Sequence, residues 1–247
     1  MNIQQYLKRI GYTDPIDVTY EVLSKLQAAH LYTVPFENLD IHSGIRIDLN
    51  NLFDKIVIRR RGGFCYELNG LFYQLLLQIG FTVKMVSARV YGKKGYSPEF
   101  DHMALIVQIS NDHYLVDVGF GEFALHPIRI EMNRETNDPR GIFKMEHLNG
   151  LYIIVQKKNA EDSFIPAYVF SEKERRIEEF YERCNYHQTN PASHFVQNSI
   201  CSLPTINGRI TLSGNKLKIT EKGAISERIL NHEEITQTLW NHFGIKL

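Results

Sequence analysis

Three residues have the types and surroundings of a nucleophile, its base and the group that orients the base: Cys65, His102 and Asp117. Cys65 sits in Arg60-Arg61-Gly62-Gly63-Phe64-Cys65-Tyr66-Glu67-Leu68-Asn69. The two glycines permit a tight backbone path, and the apolar run Asn69–Ile79 that follows reads as a buried helix ended by Gly80. A cysteine at or near the start of such a helix has its thiolate favoured by the helix dipole and the unpaired N–H groups. The same N–H groups can stabilise an oxyanion. The plainer alternative is a loop-to-helix junction whose cysteine merely packs.

A cysteine nucleophile needs a base within hydrogen-bond reach, and the base needs an orienting partner. His102 stands just before the strand-like run Met103–Ile109, and Asp117 interrupts the apolar stretch Tyr114–Val118. A carboxylate there has to be paired; the competing roles are a structural partner for an arginine and, for His102, an ordinary surface histidine. In a hairpin whose loop has an even number of residues, His102 and Asp117 share a face. A tight turn at Asn111-Asp112 sets Asp117 opposite Ile106 and leaves His102 about 13 Å away along the strand. Contact is therefore expected to need a longer loop centred between Ile109 and Ser110, or a bulge. A metal reading of the same residues lacks closely spaced ligand pairs, since His187 and His194 have no neighbouring cysteine pair, and no metal is expected. Gly119-Phe120-Gly121 lets backbone approach a ligand closely, but without a Gly-Lys-Ser/Thr ending it is no phosphate loop. A simple turn is the alternative.

The elements that must position these residues change character along the chain. Met1–Ile10 and Val18–Leu31 have helical spacing, the second broken at Thr33-Val34-Pro35; Asn50–Arg59 reads as another short helix. Thr82–Tyr91, Met103–Ile109, Tyr114–Val118, Phe143–Gln156 and Ile165–Phe170 are rich in β-branched and aromatic residues and read as strands of an antiparallel sheet or barrel. Lys173–Tyr186 reads as a helix, Gln188–Pro191 as a turn, Arg209–Thr220 as a hairpin around Ser213-Gly214-Asn215, and His232–Phe243 as a closing helix. Helices, then strands, then a mixed tail indicate an α+β fold.

The chain has 247 residues, enough for one domain or a few packed units, and its 28 basic and 28 acidic residues balance. With no net charge to attract a polyanion, neither nucleic acid nor an anionic membrane is an expected partner. No apolar run reaches transmembrane length and the start does not read as a signal peptide, so a cytoplasmic location is expected. The cysteines number three, Cys65, Cys184 and Cys201, with no Cys-x-x-Cys pair. A disulfide framework is not expected.

The run Arg61-Gly62-Gly63-Phe64-Cys65-Tyr66-Glu67-Leu68-Asn69 resembles the signature of the arylamine N-acetyltransferases, bacterial type. Val34-Pro35-Phe36-Glu37-Asn38-Leu39, Asp101-His102-Met103-Ala104-Leu105 and Asp117-Val118-Gly119-Phe120-Gly121 match further blocks of that family, as does Tyr6-Leu7-Lys8-Arg9-Ile10-Gly11. The resemblance implies an N-terminal helical bundle over residues 1–84 carrying the nucleophile, a central antiparallel β-barrel over 85–186 carrying histidine and aspartate, and a C-terminal α/β lid over 187–247. The catalytic core would be similar to those of transglutaminases and related cysteine proteases. The resemblance also implies a ping-pong reaction in which acetyl-CoA, as co-substrate rather than resident cofactor, acetylates Cys65. An aromatic amine, hydrazine or N-hydroxyarylamine then takes the acetyl group. In this likeness Cys65 is the nucleophile, His102 the base and Asp117 the orienter, with cysteine and histidine a thiolate–imidazolium pair.

Phe36 and Phe120 are candidates for walls of the amine pocket, with core packing as the alternative. Gly119, Gly121, Thr189 and Ser193 are candidates for CoA contacts. Glu37, Arg61 and Glu67 are candidates for an ion network bracing the active-site loop, with weak surface pairing as the alternative. Two positions depart from the family pattern: Gln188 replaces the first serine of Ser-Thr-x-Pro-x-Ser-x-Phe, and Glu122 stands where many relatives have a small residue. Two other readings of the site are a hydrolase or transglutaminase acting without CoA, and a non-catalytic CoA- or arylamine-binding protein. The Val-Pro-Phe-Glu-Asn-Leu block disfavours the first and the intact trio disfavours the second.

Overall fold

A computed structural model describes residues 1–246; Leu247, the last residue of the expected C-terminal unit, lies outside the described residues. The N-terminal part is helical: α1 (Ile3–Ile10), α2 (Tyr20–Thr33), the short strand β1 (Phe36–Glu37), the single turn α3 (Leu39–His42), a π-helical turn at Asp54–Ile58, and α4 (Cys65–Ile79). Local chemistry sets the ends. The Asn2 side chain accepts from the Gln5 N–H and Gly11 closes α1 with φ 70°, while the Thr19 side chain accepts from the Val22 N–H to start α2. Helix α4 is apolar almost all round and is buried on most of its surface, as such a helix must be.

The middle part is a curled antiparallel sheet: β2 (Thr82–Gly92), β3 (Gly95–Tyr96), β4 (His102–Ile109), β5 (Asp112–Val116), β6 (Ile128–Arg129), β7 (Glu135–Asp138), β8 (Gly141–Leu148), β9 (Tyr152–Lys158) and β10 (Phe164–Phe170). Its order is β6-β5-β4-β2-β10-β9-β8-β7, with β3 on β2. The chain leaving β6 returns beside β8, where Asn133 N donates to Met145 O at 2.8 Å, so the sheet nearly closes into a barrel. Strand β4 is buried on both faces. Met103, Leu105 and Val107 join the core under α4, whereas Ala104 and Ile106 join the barrel interior. That is why this run reads as continuously apolar rather than alternating.

The last part holds a 3₁₀ turn (Ile177–Phe180), α5 (Tyr181–Thr189), α6 (His194–Gln197), β11 (Ile200–Thr205), β12 (Gly208–Ser213), β13 (Lys216–Glu221), β14 (Ala224–Ile229) and α7 (His232–Phe243). Strands β11 to β14 form a second antiparallel sheet whose first member is β1, paired through Phe36–Ser202 and Glu37–Cys201.

The α+β architecture agrees with the sequence pattern, and several elements differ in detail. Phe143–Gln156 is not one strand but the hairpin β8–β9, turned at Asn149 and Gly150, both with positive φ. The helix expected from Lys173 begins only at Ile177, because Arg175 instead donates its N–H to Met85 O of β2 at 2.9 Å. Gln188 and Thr189, expected in a turn, finish α5.

Candidate active site

Cys65 is the first residue of α4 and is only 4% exposed; His102, the first residue of β4, is 2% exposed, and Asp117, just past β5, is fully buried. Helix α4 packs across β2 and β4, which brings the start of the helix to the start of β4. The backbone of Met103, the residue after His102, donates toward the Cys65 sulfur. His102 Nε2 lies 2.7 Å from Asp117 Oδ2.

The β4–β5 hairpin achieves this with neither a long loop nor a bulge. Its two-residue turn falls at Ser110–Asn111, with Ser110 at φ 54°, and the pairs are Ile109–Asp112 through Leu105–Val116. Carried one step on, that register sets Asp117 opposite Ala104, two places from His102 and on the same face. Such diagonal neighbours are close enough for side chains to join. The turn lies one residue earlier than Asn111-Asp112, and that single step removes the gap expected from the sequence.

Asp117 is neither an arginine partner nor an orphan. Besides His102, its carboxylate accepts from Asn69 Nδ2 at 2.9 Å, the Gly119 N–H at 2.9 Å and the Tyr168 hydroxyl at 3.1 Å. This dense donation satisfies a buried charge. Asn69, one helical turn beyond Cys65, also donates to Met103 O at 2.7 Å and accepts from the Val118 N–H at 2.9 Å. It ties the helix to both strands. Sequence reasoning missed Asn69 and Tyr168 as site residues; for Asn69 the signal was an amide on a buried helix face four residues after the cysteine.

Electrostatics separate the three groups. Burial pushes the Cys65 thiol well up, the Met103 backbone pulls it down, and the charge on Asp117 pushes it up again.

Glycines shape the loops around the trio. A side chain at Gly62 would collide with Pro35 O, and one at Gly63 would lie 2.7 Å from Glu67 Cβ. A Cβ at Gly119 would lie 2.7 Å from both Cys65 Cα and Asn69 Nδ2. The close approach at Gly119 is thus to the protein itself. Gly119→Ala is expected to lower turnover by about a hundredfold and to cost about 1–3 kcal/mol of stability through overpacking. Steady-state rates and urea unfolding check this, and an alanine variant with unchanged rate would contradict it.

The bracing network is buried, not superficial, and is larger than the sequence suggested. Arg61 binds Glu37 through Nε at 3.0 Å and Nη2 at 2.9 Å, and reaches Asp40 at 2.9 Å. Lys55 Nζ bridges Asp40 at 2.8 Å and Glu67 at 2.7 Å. Glu67 Oε2 accepts the Phe64 N–H at 3.1 Å, capping α4 right before Cys65. Three carboxylates thus face two cations, and burial pushes the Glu67 carboxyl up to about 7 despite the pull of Lys55.

A second network pins the residue before His102. Asp101 accepts from Arg183 Nε at 2.6 Å and His187 Nε2 at 2.9 Å, and the other His187 nitrogen lies 3.2 Å from Ser193 Oγ. Burial opposes ionisation of Asp101, but the hydrogen bonds from His187 and its other partners hold its carboxyl at about 2.

Of the remaining candidates, Phe36 and Phe120 line one narrow space of about 10 Å³ together with Gly119 and Gly121. The Phe120 ring centroid is 5.2 Å from that of His102. Through Phe36, Gly121, Ser202 and Arg209 this space adjoins a cleft of about 830 Å³, which Glu122 also lines. Ser193 caps α6, Thr189 bonds back to Asn185 O, and Gln188 accepts from the Ile47 N–H at 2.8 Å. Those three side chains make contacts within the protein and do not line the cleft. Cys184 and Cys201 are buried free cysteines. Among the described residues no cluster of three or more His, Cys, Asp or Glu side chains is arranged to hold a metal ion, and no helix is long and apolar enough to cross a membrane.

A family model described as N-acetyltransferase matches residues 19–247. A pineal gland isozyme of arylamine N-acetyltransferase from Gallus gallus is 34% identical over 277 residues, covering 100% of this chain and 95% of the relative. The structure of arylamine N-acetyltransferase from M. tuberculosis superposes with a TM-score of 0.91 at 32% identity, over 99% of this chain and 94% of that one. That of the Mycobacterium marinum enzyme in complex with CoA superposes with a TM-score of 0.90 at 31% identity, over 99% and 93%.

Proposed function

Because the chain belongs to the arylamine N-acetyltransferase family, we propose that it moves an acetyl group from acetyl-CoA to an arylamine, arylhydrazine or N-hydroxyarylamine through an acetyl-Cys65 intermediate. The observation that carries this reading is the saturated Asp117 carboxylate, which holds His102 at 2.7 Å beside a cysteine at a helix N-terminus.

In the first half-reaction the Cys65 S–H proton passes to His102 and the sulfur attacks the thioester carbonyl. The first-turn N–H groups of α4 stabilise the oxyanion. The carbon–sulfur bond to CoA breaks, and the imidazolium returns its proton to the departing thiolate. In the second half-reaction the amine attacks the acetyl-cysteine, His102 takes the amine proton, and Cys65 leaves and is reprotonated. Asp117 holds the ring and stabilises the imidazolium each time. Aromatic walls at Phe36 and Phe120 suit an aryl acceptor.

Intact-protein mass spectrometry after mixing with acetyl-CoA alone is the test. The expected result is one added acetyl group per chain and one CoA released before any amine is supplied, with neither in Cys65→Ser. CoA release that appears only when amine is present would mean direct transfer and would overturn the ping-pong reading.

A further inference from the structure

His102 opens β4, and the β2–β4 ladder ends with it at the pair Ala88–His102. The last rung of a ladder is where pairing frays first. Asp117 orients the imidazole ring, but it does not fix where the chain delivers that ring. The two residues in front of His102 are held for that purpose. Phe100 has φ 63°, and among the described residues it is the only aromatic one in the left-handed region. A bulky side chain stays in that conformation only where its surroundings impose it.

The surroundings do impose it. The Phe100 N–H donates to Ser87 Oγ of β2 at 2.7 Å. Its carbonyl accepts from the hydroxyl of Tyr66, the residue after Cys65, at 2.7 Å. Its ring centroid lies 5.2 Å from that of Phe180 and 5.0 Å from the Arg175 guanidinium. Asp101 accepts from Arg183 Nε at 2.6 Å and His187 Nε2 at 2.9 Å. Phe180, Arg183 and His187 follow the i, i+3, i+7 spacing of one helical face, running from the 3₁₀ turn into α5. A single stripe of that helix therefore grips Phe100 and Asp101 together. His187 is itself tied to Ser193, the cap of α6.

We propose that Asp101, Arg183 and His187 are positioning residues for the base: α5 clamps the dipeptide in front of His102 and so sets the reach from the imidazole to Cys65. None of the three touches a reacting atom, and each acts through the backbone that carries His102. The Tyr66 bond completes the device, because it ties the approach to the base directly to the first turn of the nucleophile's own helix. The kinetic part of this assignment rests on the acetyl-transfer reading above. A base displaced by a fraction of an ångström loses its transfer geometry while the donor still binds, so the clamp belongs to the chemical step and not to donor affinity. The plainer role for the same contacts is to hold α5 onto the barrel, which would affect unfolding and leave the rate of the folded protein alone.

The test measures single-turnover acetylation of Cys65 by acetyl-CoA and, separately, alkylation of Cys65 by iodoacetamide, located by peptide mass spectrometry. Asp101→Asn and His187→Leu are each expected to lower the maximal acetylation rate by about tenfold to a hundredfold, with the half-saturating acetyl-CoA concentration unchanged. Alkylation should slow in the same order. The double variant should be no slower than the slower single one, since both act through one bond. His187→Gln keeps a donor for Asp101 and should stay within about threefold of wild type. Arg183→Lys, which keeps the charge but not the planar fork, is the milder variant should Asp101→Asn not fold, and a smaller fall in the same rate is expected of it. Folded variants with wild-type rates, or a change confined to the half-saturating concentration, would overturn the proposal. If acetyl-CoA fails to label wild-type Cys65, the acetyl-transfer reading falls, and the alkylation rates alone decide whether the clamp positions the base.

Discussion

His102→Gln is expected to slow acetylation of Cys65 by on the order of 10³–10⁴ and to change the shape of its pH profile. On the mechanism proposed above, the imidazole takes the thiol proton as the sulfur attacks, so the rate does not wait for free thiolate. In the variant the thiol must ionise unaided, and burial followed by the Asp117 charge holds it well above its usual range. The thiolate fraction then grows tenfold with each pH unit, and the single-turnover rate of CoA release should climb throughout the accessible alkaline range. A variant whose rate levels off near pH 7 would show that the helix N-terminus alone sustains the thiolate. The Met103 backbone and the α4 dipole would then carry the activation that is assigned here to His102.

Lys55→Met is expected to destabilise the fold by about 3–5 kcal/mol, the usual loss when one member of a buried ion pair is removed. Among the described residues Lys55 is the only cation contacting Glu67, and it shares Asp40 with Arg61. Without it, three carboxylates compete for one guanidinium. The pH dependence has a definite sign. Glu67 has a folded pKa of about 7, above its unfolded value of 4.5, so folding takes up a proton. The associated stability is complete below the unfolded value and is lost as pH rises through about 7. Removing Lys55 raises the folded value further and extends the loss to higher pH. Urea unfolding at pH 6 and pH 8.5 should therefore show a larger deficit at the higher pH. Equal deficits would mean that no proton is held in the cluster, and Lys55→Met with Glu67→Leu should recover part of the loss.

What could be read from the sequence was local chemistry. Gly62-Gly63 ahead of Cys65, a carboxylate interrupting the apolar stretch at Asp117, and the family blocks around them lie in short contiguous runs. The α+β order was legible because the hydrophobic period changes near Thr82. Register was harder. Whether the β4–β5 turn sits at Ser110–Asn111 or one residue later depends on which residue takes a left-handed φ, and Ser110 is not a residue that advertises one. The Asn149-Gly150 turn did advertise itself, but the apolar run around it masked the hairpin. Strand β14 is exposed along its whole length, so no alternation marked it. Lys55 and Asp40 could not be assigned to the brace beforehand, since only the packing of α3, α4 and the π-helical turn brings them together.

The pairing of β1 with β11 has a consequence for how the protein is made. Phe36 stands between Gly63, which it bridges on one side, and Ser202, its partner on the other. Asn38 is held by the Phe195 and Asn198 carbonyls and itself accepts the Ile200 N–H. The segment in front of the cysteine thus gets its outer support from residues that leave the ribosome more than a hundred positions later. Until then a growing chain can form α4 and much of the barrel, but β1 remains an unpaired edge over the loop that precedes Cys65. Contacts of such long sequence separation form slowly, and an exposed edge in the interval invites pairing with another chain. Activity should therefore appear only after nearly the whole chain is synthesised, and yield in the cell will depend on how well that one open edge is kept from other strands in the meantime.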